Sequence, residues 1–114
     1  MIAVIFEVYP RVGSKTDYLR IASELRPLLE TIDGFISIER FQSLTDPEKL
    51  LSLSFWRDEI AIQAWRNIEA HGCAQQQGRS GIFQDYRLRV AHVMRDYGLH
   101  ERLEAPEHSL NIHR

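Results

Sequence analysis

Five side chains between a predicted second helix and a predicted last strand could together bind a flat, oxygenated molecule. Tryptophan and tyrosine each present an apolar ring with one polar atom. Histidine exchanges a proton near neutral pH, and the guanidinium of arginine holds an anionic oxygen. We interpret the set as the lining of a candidate pocket, made of Trp65, His71, Gln75, Arg79 and Tyr86.

Several of these residues also have an ordinary structural interpretation. Trp65 lies on the apolar stripe of its helix and would then be a core residue. Tyr86 would be buried with its hydroxyl bonded to a backbone group, and Arg79 would cap a helix end. Residue type and spacing leave both interpretations open.

Standard motifs for other chemistries are absent. No two of the five histidines have the i, i+4 spacing, with an acid between them, of a zinc hydrolase helix. There is no Gly-x-Ser-x-Gly nucleophile elbow. The segment 72–78 lacks the Lys-Ser/Thr ending of a phosphate-binding loop, and no Gly-x-Gly-x-x-Gly follows a strand. We therefore expect neither a metal nor a bound cofactor.

The first half of the chain predicts a strand, a helix and a hairpin. Met1–Tyr9 is rich in β-branched and aromatic residues and reads as a strand. Ser14 or Thr16 is expected to cap the next helix, and Pro27 to kink it or end it early. The apolar stripe of that helix is Tyr18, Ile21, Ala22, Leu25, Leu28, Leu29 and Ile32. Two alternating segments around a Thr-Asp-Pro-Glu turn then predict a hairpin of Phe35–Leu44 and Lys49–Arg57.

The second half predicts one more helix and one more strand. Asp58 is expected to cap the helix, whose apolar stripe is Ile60, Ala61, Ala64, Trp65 and Ile68. Phe83–Tyr97 alternates and predicts the fourth strand. The order β-α-β-β-α-β is that of a ferredoxin-like α+β fold with a four-stranded antiparallel sheet. We expect one domain over residues 1–98 and a polar tail over 99–114.

Apolar residues on both faces of two strands predict a homodimer. In the first strand Ile2, Val4, Phe6 and Val8 alternate with Ala3 and Ile5, and the third strand is also apolar on both faces. Two helices cover one face only, so a second copy is the simplest cover for the other. The alternative is a monomer whose tail folds over the sheet, but that tail has few apolar residues: Leu99, Leu103, Leu110 and Ile112.

Composition narrows the partners and the compartment. The 114 residues carry a net charge of −2, with 44% hydrophobic and 26% charged residues, which is typical of a globular domain. There is no basic surplus for nucleic acid, and no apolar run approaches the roughly 20 residues of a membrane span. We find no signal peptide, and Cys73 is the single cysteine. We therefore expect a cytoplasmic protein without an internal disulfide.

Five short segments resemble the antibiotic-biosynthesis monooxygenase domain family, and the likeness covers residues 1–98. The opening strand and the Asp33-Gly34-Phe35 joint fit as well. The segments are Trp56–Glu59, Ala64–Asn67, His71–Arg79, Phe83–Tyr86 and Arg95–Gly98.

The resemblance implies a dimeric α+β barrel and oxygen chemistry. Characterised members oxidise polycyclic aromatic phenols to quinones with molecular oxygen and neither metal nor flavin. The substrate supplies the electrons, while the protein supplies shape, proton removal and oxyanion stabilisation. A tryptophan on the second helix lines the pocket in those enzymes, and Trp65 falls at that place. On this hypothesis His71 or Glu7 removes the proton, Arg79 stabilises the oxyanion, and Trp65 and Tyr86 stack on the ring.

Two alternatives differ in class. One is a non-catalytic dimer that binds a small hydrophobic ligand in the same pocket. The other is haem binding or degradation, which a branch of the superfamily performs with a first-strand asparagine, a tryptophan and a histidine ligand. Here Glu7 and Gln75 stand at two of those three places, and His71 lies about one turn earlier. These departures argue against haem.

Overall fold

The computed structural model describes residues 1–71 and 81–107, and its elements follow the predicted order. All strand pairs are antiparallel, in the order β2-β3-β1-β4. Neither helix is long and apolar enough to cross a membrane. The prediction of a ferredoxin-like α+β fold is confirmed. The elements are β1 (Ile2–Pro10), α1 (Lys15–Glu30), β2 (Phe35–Gln42), β3 (Leu50–Trp56), α2 (Glu59–His71) and β4 (Phe83–His92).

Both helices pack on one face of the sheet, which we call the helix face. Even-numbered residues of β1 and β3 point to this face because side chains alternate along a strand. Two core clusters lie there. One joins Ile2 and Trp56 of the sheet to Leu29, Ile32, Ala61 and Ile62. The other joins Val8 and Leu50 to Tyr18 of α1.

The opposite side of the sheet, which we call the open face, is also largely apolar. Its central strands present Ala3 and Ile5 from β1 and three large side chains from β3. Neither described helix packs on it. The β3 residues are half-buried by their neighbours in the sheet: Leu51, Leu53 and Phe55.

The ends of β4 and α1 and the cap of α1 differ from the prediction, and β2 and β3 are each two residues shorter than predicted. The fourth strand ends at His92 and not at Tyr97, because its partner β1 begins at Ile2, which pairs with His92. The first helix continues through Pro27 to Glu30, so the ring costs one backbone hydrogen bond but does not end the helix. Ser14 occupies the N-cap position, yet its side chain makes no capping bond.

The buried stripe of α2 is rotated from the predicted one. Ile60 is 78% exposed and Ala64 is also exposed, whereas Ile62 is buried. The Asp58 cap is confirmed, because its Oδ1 accepts a hydrogen bond of 3.0 Å from the backbone N–H of Ala61. The helix begins after this cap at Glu59, and its residues Ala61 and Ile62 lie in the core.

One arginine ties the start of α2 to the end of α1. The Arg57 guanidinium donates to both carboxylate oxygens of Asp33, each at 3.1 Å, and to Oδ2 of Asp58 at 3.1 Å. Between these residues Gly34 has a φ of +93°, and a Cβ there would lie 2.8 Å from the Cβ of Ala61. Glycine is therefore required for both its conformation and its size.

The same junction predicts a loss of stability in acid. The hydrogen bonds from Arg57 lower the pKa of Asp33 below its ordinary value of 3.8, and the N–H of Ala61, followed by Arg57, lowers the pKa of Asp58. A carboxyl with a depressed folded pKa stabilises the fold above its unfolded pKa, and this contribution disappears as pH falls through the folded pKa. We expect the melting temperature to fall below about pH 4, and less steeply in Arg57→Gln. Equal slopes in thermal melts from pH 6 to 2 would contradict this.

Candidate functional site

An uncovered apolar strip runs along β4 on the helix face. The register pairs Tyr86 with Val8, Leu88 with Phe6 and Val90 with Val4, so all these side chains point to the side where the helices pack. Yet Tyr86 is 57% exposed, Leu88 48% and Val90 42%, whereas Val8 is fully buried. We call Tyr86, Leu88 and Val90 the β4 strip. We call the exposed surface beside this strip, on the helix face, the β4 cleft.

Aromatic rings surround Tyr86 at one end of the β4 strip. The ring centroid of Tyr86 lies 5.5 Å from that of Phe6 and 5.9 Å from that of Phe83. Phe83 also meets Phe6 and Tyr18 edge-on, each at 5.8 Å. Tilted and edge-to-face pairs at these distances are attractive, so the four rings hold one another in place. The cleft therefore offers a flat molecule a fixed aromatic surface.

Trp65 and Tyr86 both lie on the helix-face side of the sheet. Trp65 is on α2, half-buried, and packs against the core cluster that contains Ile2 and Trp56. Part of its surface thus belongs to the core and part stays accessible. For Tyr86 the ordinary interpretation, a buried hydroxyl, is wrong, because the side chain is mostly exposed. Its position fits the lining of a cleft.

The remaining predicted site residues are placed only in part. His71 is the last residue of α2, and its side chain lies outside what the structure describes. Gln75 and Arg79 fall in the segment 72–80, which is outside the described residues, as is Cys73. Their roles therefore remain predictions. The chain leaves α2 at His71 and enters β4 at Phe83, next to the aromatic rings.

Glu7 lies on the open face, away from the cleft. It alternates with Phe6 and Val8, and its carboxylate pairs with Lys49 Nζ at 3.3 Å and with Arg89 Nη1 at 3.4 Å. The hydrogen bond from Lys49, followed by the charges of both cations, lowers the pKa of Glu7. A carboxylate with a lowered pKa is a weak base. The position and the lowered pKa of Glu7 therefore argue against it as the base, and His71 stays the predicted base.

Sequence reasoning missed most of the cleft wall. Leu88 and Val90 share the parity of Tyr86 in the alternating strand, and Phe6 and Phe83 complete the aromatic end. The signal available in the sequence was the two-residue alternation of side chains along β4. It could not show that β4 lies beside β1 with its helix-face side chains uncovered, because that depends on pairing between distant parts of the chain.

Two further features bear on ligands. A shallow pocket of about 210 Å³ lies beside the β2–β3 hairpin and is lined by Glu7, Phe41 and Lys49 among others. Typical ligand clefts are about 300–1,000 Å³. Of the predicted site residues that the structure describes, Glu7 lines this pocket, whereas Trp65 and Tyr86 do not. Among residues 1–71 and 81–107 no group of three or more His, Cys, Asp or Glu side chains is arranged to hold a metal ion.

The chain shares extensive sequence with one named monooxygenase. It is 50% identical over 93 residues to a protein of Pyricularia oryzae named jasmonate monooxygenase ABM. The match covers 82% of this chain and 43% of that protein, so this chain spans less than half the length of that relative.

Other comparisons agree on the family and the fold. An uncharacterised protein of Bacillus subtilis, YqjZ, is 30% identical over 90 residues, which is 77% of each chain. A solved structure from Deinococcus radiodurans superposes with a TM-score of 0.74 at 10% identity, over 86% of this chain and 97% of the other, and shares the fold. The family model described as antibiotic biosynthesis monooxygenase matches residues 1–77. The chain therefore belongs to the antibiotic biosynthesis monooxygenase family.

Proposed function

We propose that this protein is a monooxygenase that oxidises a small aromatic or quinone-like molecule with molecular oxygen, bound in the cleft along β4. The observation that carries the proposal is the β4 strip, because exposed apolar side chains beside an ordered set of rings are suited to a flat ligand. The family and the relative named as a monooxygenase support the reaction class.

The proposed reaction needs only a base, a group that stabilises an oxyanion and residues that hold the ring. His71 takes a proton from the bound phenol, and the resulting anion delivers electrons to oxygen. One oxygen atom enters the substrate to complete a quinone, and the other leaves as water with two hydrogens from the substrate. Arg79 stabilises the substrate oxyanion, while Trp65 and Tyr86 hold the ring. These steps require no metal and no flavin.

A second substrate class follows from the Pyricularia oryzae relative, whose name gives jasmonate as its substrate. Jasmonate is a cyclopentanone that carries a carboxylate, so it is neither aromatic nor a phenol. The apolar β4 strip would accept its ring and side chain, and Arg79 would hold its carboxylate. We therefore propose jasmonate-like keto acids as the alternative to aromatic phenols.

The functional unit that we propose is a homodimer whose open faces meet. The apolar centre of the open face, Ala3, Ile5, Leu53 and Phe55, supports this assembly. Residues 1–98 would form the domain and 99–114 a tail. The lone cysteine, Cys73, supports a reducing cytoplasmic location.

Oxygen uptake is the test of the proposed activity. We expect wild-type protein to consume oxygen with an anthrone-type phenol or with jasmonic acid, and faster than a Trp65→Phe, His71→Ala double variant. His100→Ala, in an exposed segment after β4, serves as the control and should behave as wild type. A wild-type rate equal to that of the double variant would exclude the oxygenase. Thermal stabilisation by either compound without turnover would then favour the binding protein.

Haem binding is the least supported alternative. Glu7 stands where the haem-degrading branch has asparagine, and its carboxylate lies on the open face in ion pairs with Lys49 and Arg89. An open-face carboxylate cannot serve a ligand in the β4 cleft. No Soret shift is expected when haemin is added.

A further inference from the structure

One row of side chains crosses the open face from edge to edge. Glu39 of β2 pairs with Leu53 of β3, Leu53 with Ile5 of β1, and Ile5 with Arg89 of β4. The row therefore reads acid, apolar, apolar, base. Both end residues are exposed, and both lie on edge strands. If a second copy lies face to face with the first, with its β2 edge over the β4 edge of the first, the acid lies opposite the base and the apolar residues lie opposite each other.

The direction of a two-fold axis decides which residues meet. If the axis runs parallel to the strands, midway between β3 and β1, the β2 edge of one copy lies over the β4 edge of the other. Glu39 then faces the partner's Arg89, and Leu53 faces the partner's Ile5. If the axis is perpendicular to the strands, Glu39 faces the partner's Glu39. Like charges placed opposite each other repel, so the parallel axis is favoured.

A neighbouring row supports the same axis. Phe55 pairs with Ala3 across β3 and β1, so under the parallel axis each Phe55 ring faces the small Ala3 side chain of the other copy. Large side chains opposite small ones allow two faces to interdigitate. Strands about 4.8 Å apart place the edges about 7 Å from the axis. If the two sheets cross at an angle of about 30°, Glu39 and the partner's Arg89 are displaced from each other by about 4 Å. The long arginine side chain can bridge this displacement.

The charges already present on this face leave Glu39 available. Among residues 1–71 and 81–107 no ion pair is found for Glu39. Arg89 contacts Glu7 at 3.4 Å, but Glu7 is shared with Lys49 at 3.3 Å. Arg87, the cross-strand partner of Glu7, adds a second cation to the β4 edge. The β4 edge thus has cationic charge in excess and the β2 edge an unpaired carboxylate.

We infer that two copies of this chain pair about an axis parallel to the strands, with the Glu39 carboxylate of each copy bound to Arg89 of the other. The inference rests on the proposed homodimer and specifies its geometry. Each dimer contains this ion pair twice, once at each end of the central row. The pair selects one docking direction for an otherwise apolar face, as complementary charges do in other interfaces.

Charge reversal tests this pairing. Glu39→Arg places two arginines opposite each other at both contacts, and Arg89→Glu places two glutamates there. Each variant alone should have its dimer dissociation constant raised at least about tenfold. Mixed in equal amounts, the two variants should form a heterodimer in which both contacts are restored. The double variant E39R/R89E should dimerise with itself. Sedimentation and native mass spectrometry measure all four states.

Matched controls lie on α1. Glu24→Arg and Arg20→Glu make the same charge changes in an exposed pair, where Arg20 Nη1 lies 3.0 Å from Glu24 Oε1. These variants should dimerise as wild type does. Arg89→Glu also places a second carboxylate near Glu7, so circular dichroism must show that it is folded. Glu39→Arg breaks no ion pair seen in the described chain, and its effect can be read alone.

The possible results test the Glu39–Arg89 ion pair and the homodimer separately. A wild-type chain that remains a 13.3 kDa monomer at about 100 μM would overturn both the proposed dimer and the proposed ion pair. A wild-type dimer that tolerates Glu39→Arg would overturn the pairing and leave the dimer. If the Glu39→Arg chain preferred wild type to the Arg89→Glu chain, Glu39 would face the partner's Glu39 and the axis would be perpendicular. Preference for the Arg89→Glu chain supports the inference.

Discussion

Replacing Leu88 by arginine is expected to lower oxygen uptake about a hundredfold while the protein stays folded. Leu88 is 48% exposed at the centre of the β4 strip, opposite the half-buried Phe6. A long cation there would occupy the cleft and place a charge against a flat apolar ligand. Displacing a bound reactant by about 1 Å can cost about two orders of magnitude in rate. Steady-state oxygen uptake with the accepted substrate measures the loss.

The control makes the same change where no cleft exists. Leu44 is fully exposed in the β2–β3 turn, and Leu44→Arg should keep the wild-type rate. Both variants should melt within about 2 °C of wild type, since substitutions at exposed positions are usually close to neutral. Full activity in Leu88→Arg would place the reaction outside the β4 cleft.

Replacing Trp56 by alanine is expected to destabilise the fold by about 3–5 kcal/mol. Trp56 is 2% exposed and lies at the centre of the larger core cluster. Its ring meets Phe35 edge-on at 5.3 Å, and its Nε1–H donates to Ser54 Oγ at 2.9 Å. The substitution would leave a cavity and remove the hydrogen bond to the buried serine. A single domain is stable by only about 5–15 kcal/mol, so much of the margin would be lost.

Thermal or urea denaturation measures this loss, and all variants are compared at one protein concentration because the apparent stability of the proposed dimer would depend on it. Trp56→Phe should cost less than Trp56→Ala, since it keeps a ring against Phe35. Ile60→Ala, on the exposed side of α2, should change stability by about 0.5 kcal/mol or less. The residue is 78% exposed. Equal melting of Trp56→Ala and wild type would contradict the packing described for this cluster.

Local patterns predicted the elements well and their ends less well. The alternation in β1 and the stripe from Tyr18 to Ile32 were sufficient for a strand and a helix, because burial of one face imposes a period of two or 3.6 residues. The end of β4 at His92 depends on where its partner strand begins, which no local pattern in Phe83–Tyr97 contains. The α2 stripe likewise depended on how the helix packs on the sheet, which the sequence of the helix alone does not contain.

The candidate site was also predicted only in part from the sequence. Sequence alone selected Trp65 and Tyr86 by residue type and family likeness, and the structure places both on the helix-face side of the sheet. It did not select Phe6, Leu88 or Val90, because they are ordinary apolar residues of predicted strands. Only the pairing of β1 with β4 shows that they form an exposed wall. His71 stays a prediction that the oxygen-uptake double variant tests, and the role of Arg79 also stays a prediction.

By itself the sequence determined the order of elements, the apolar character of both sheet faces and the family, since these depend on residue types at short spacing. Tertiary structure alone decided that Glu7 lies on the open face, that the cleft follows β4 and that Glu39 and Arg89 share one row. The reason is physical. Sheet register between distant segments is set by the packing of the whole core, and a shift of one residue would turn every side chain to the other face.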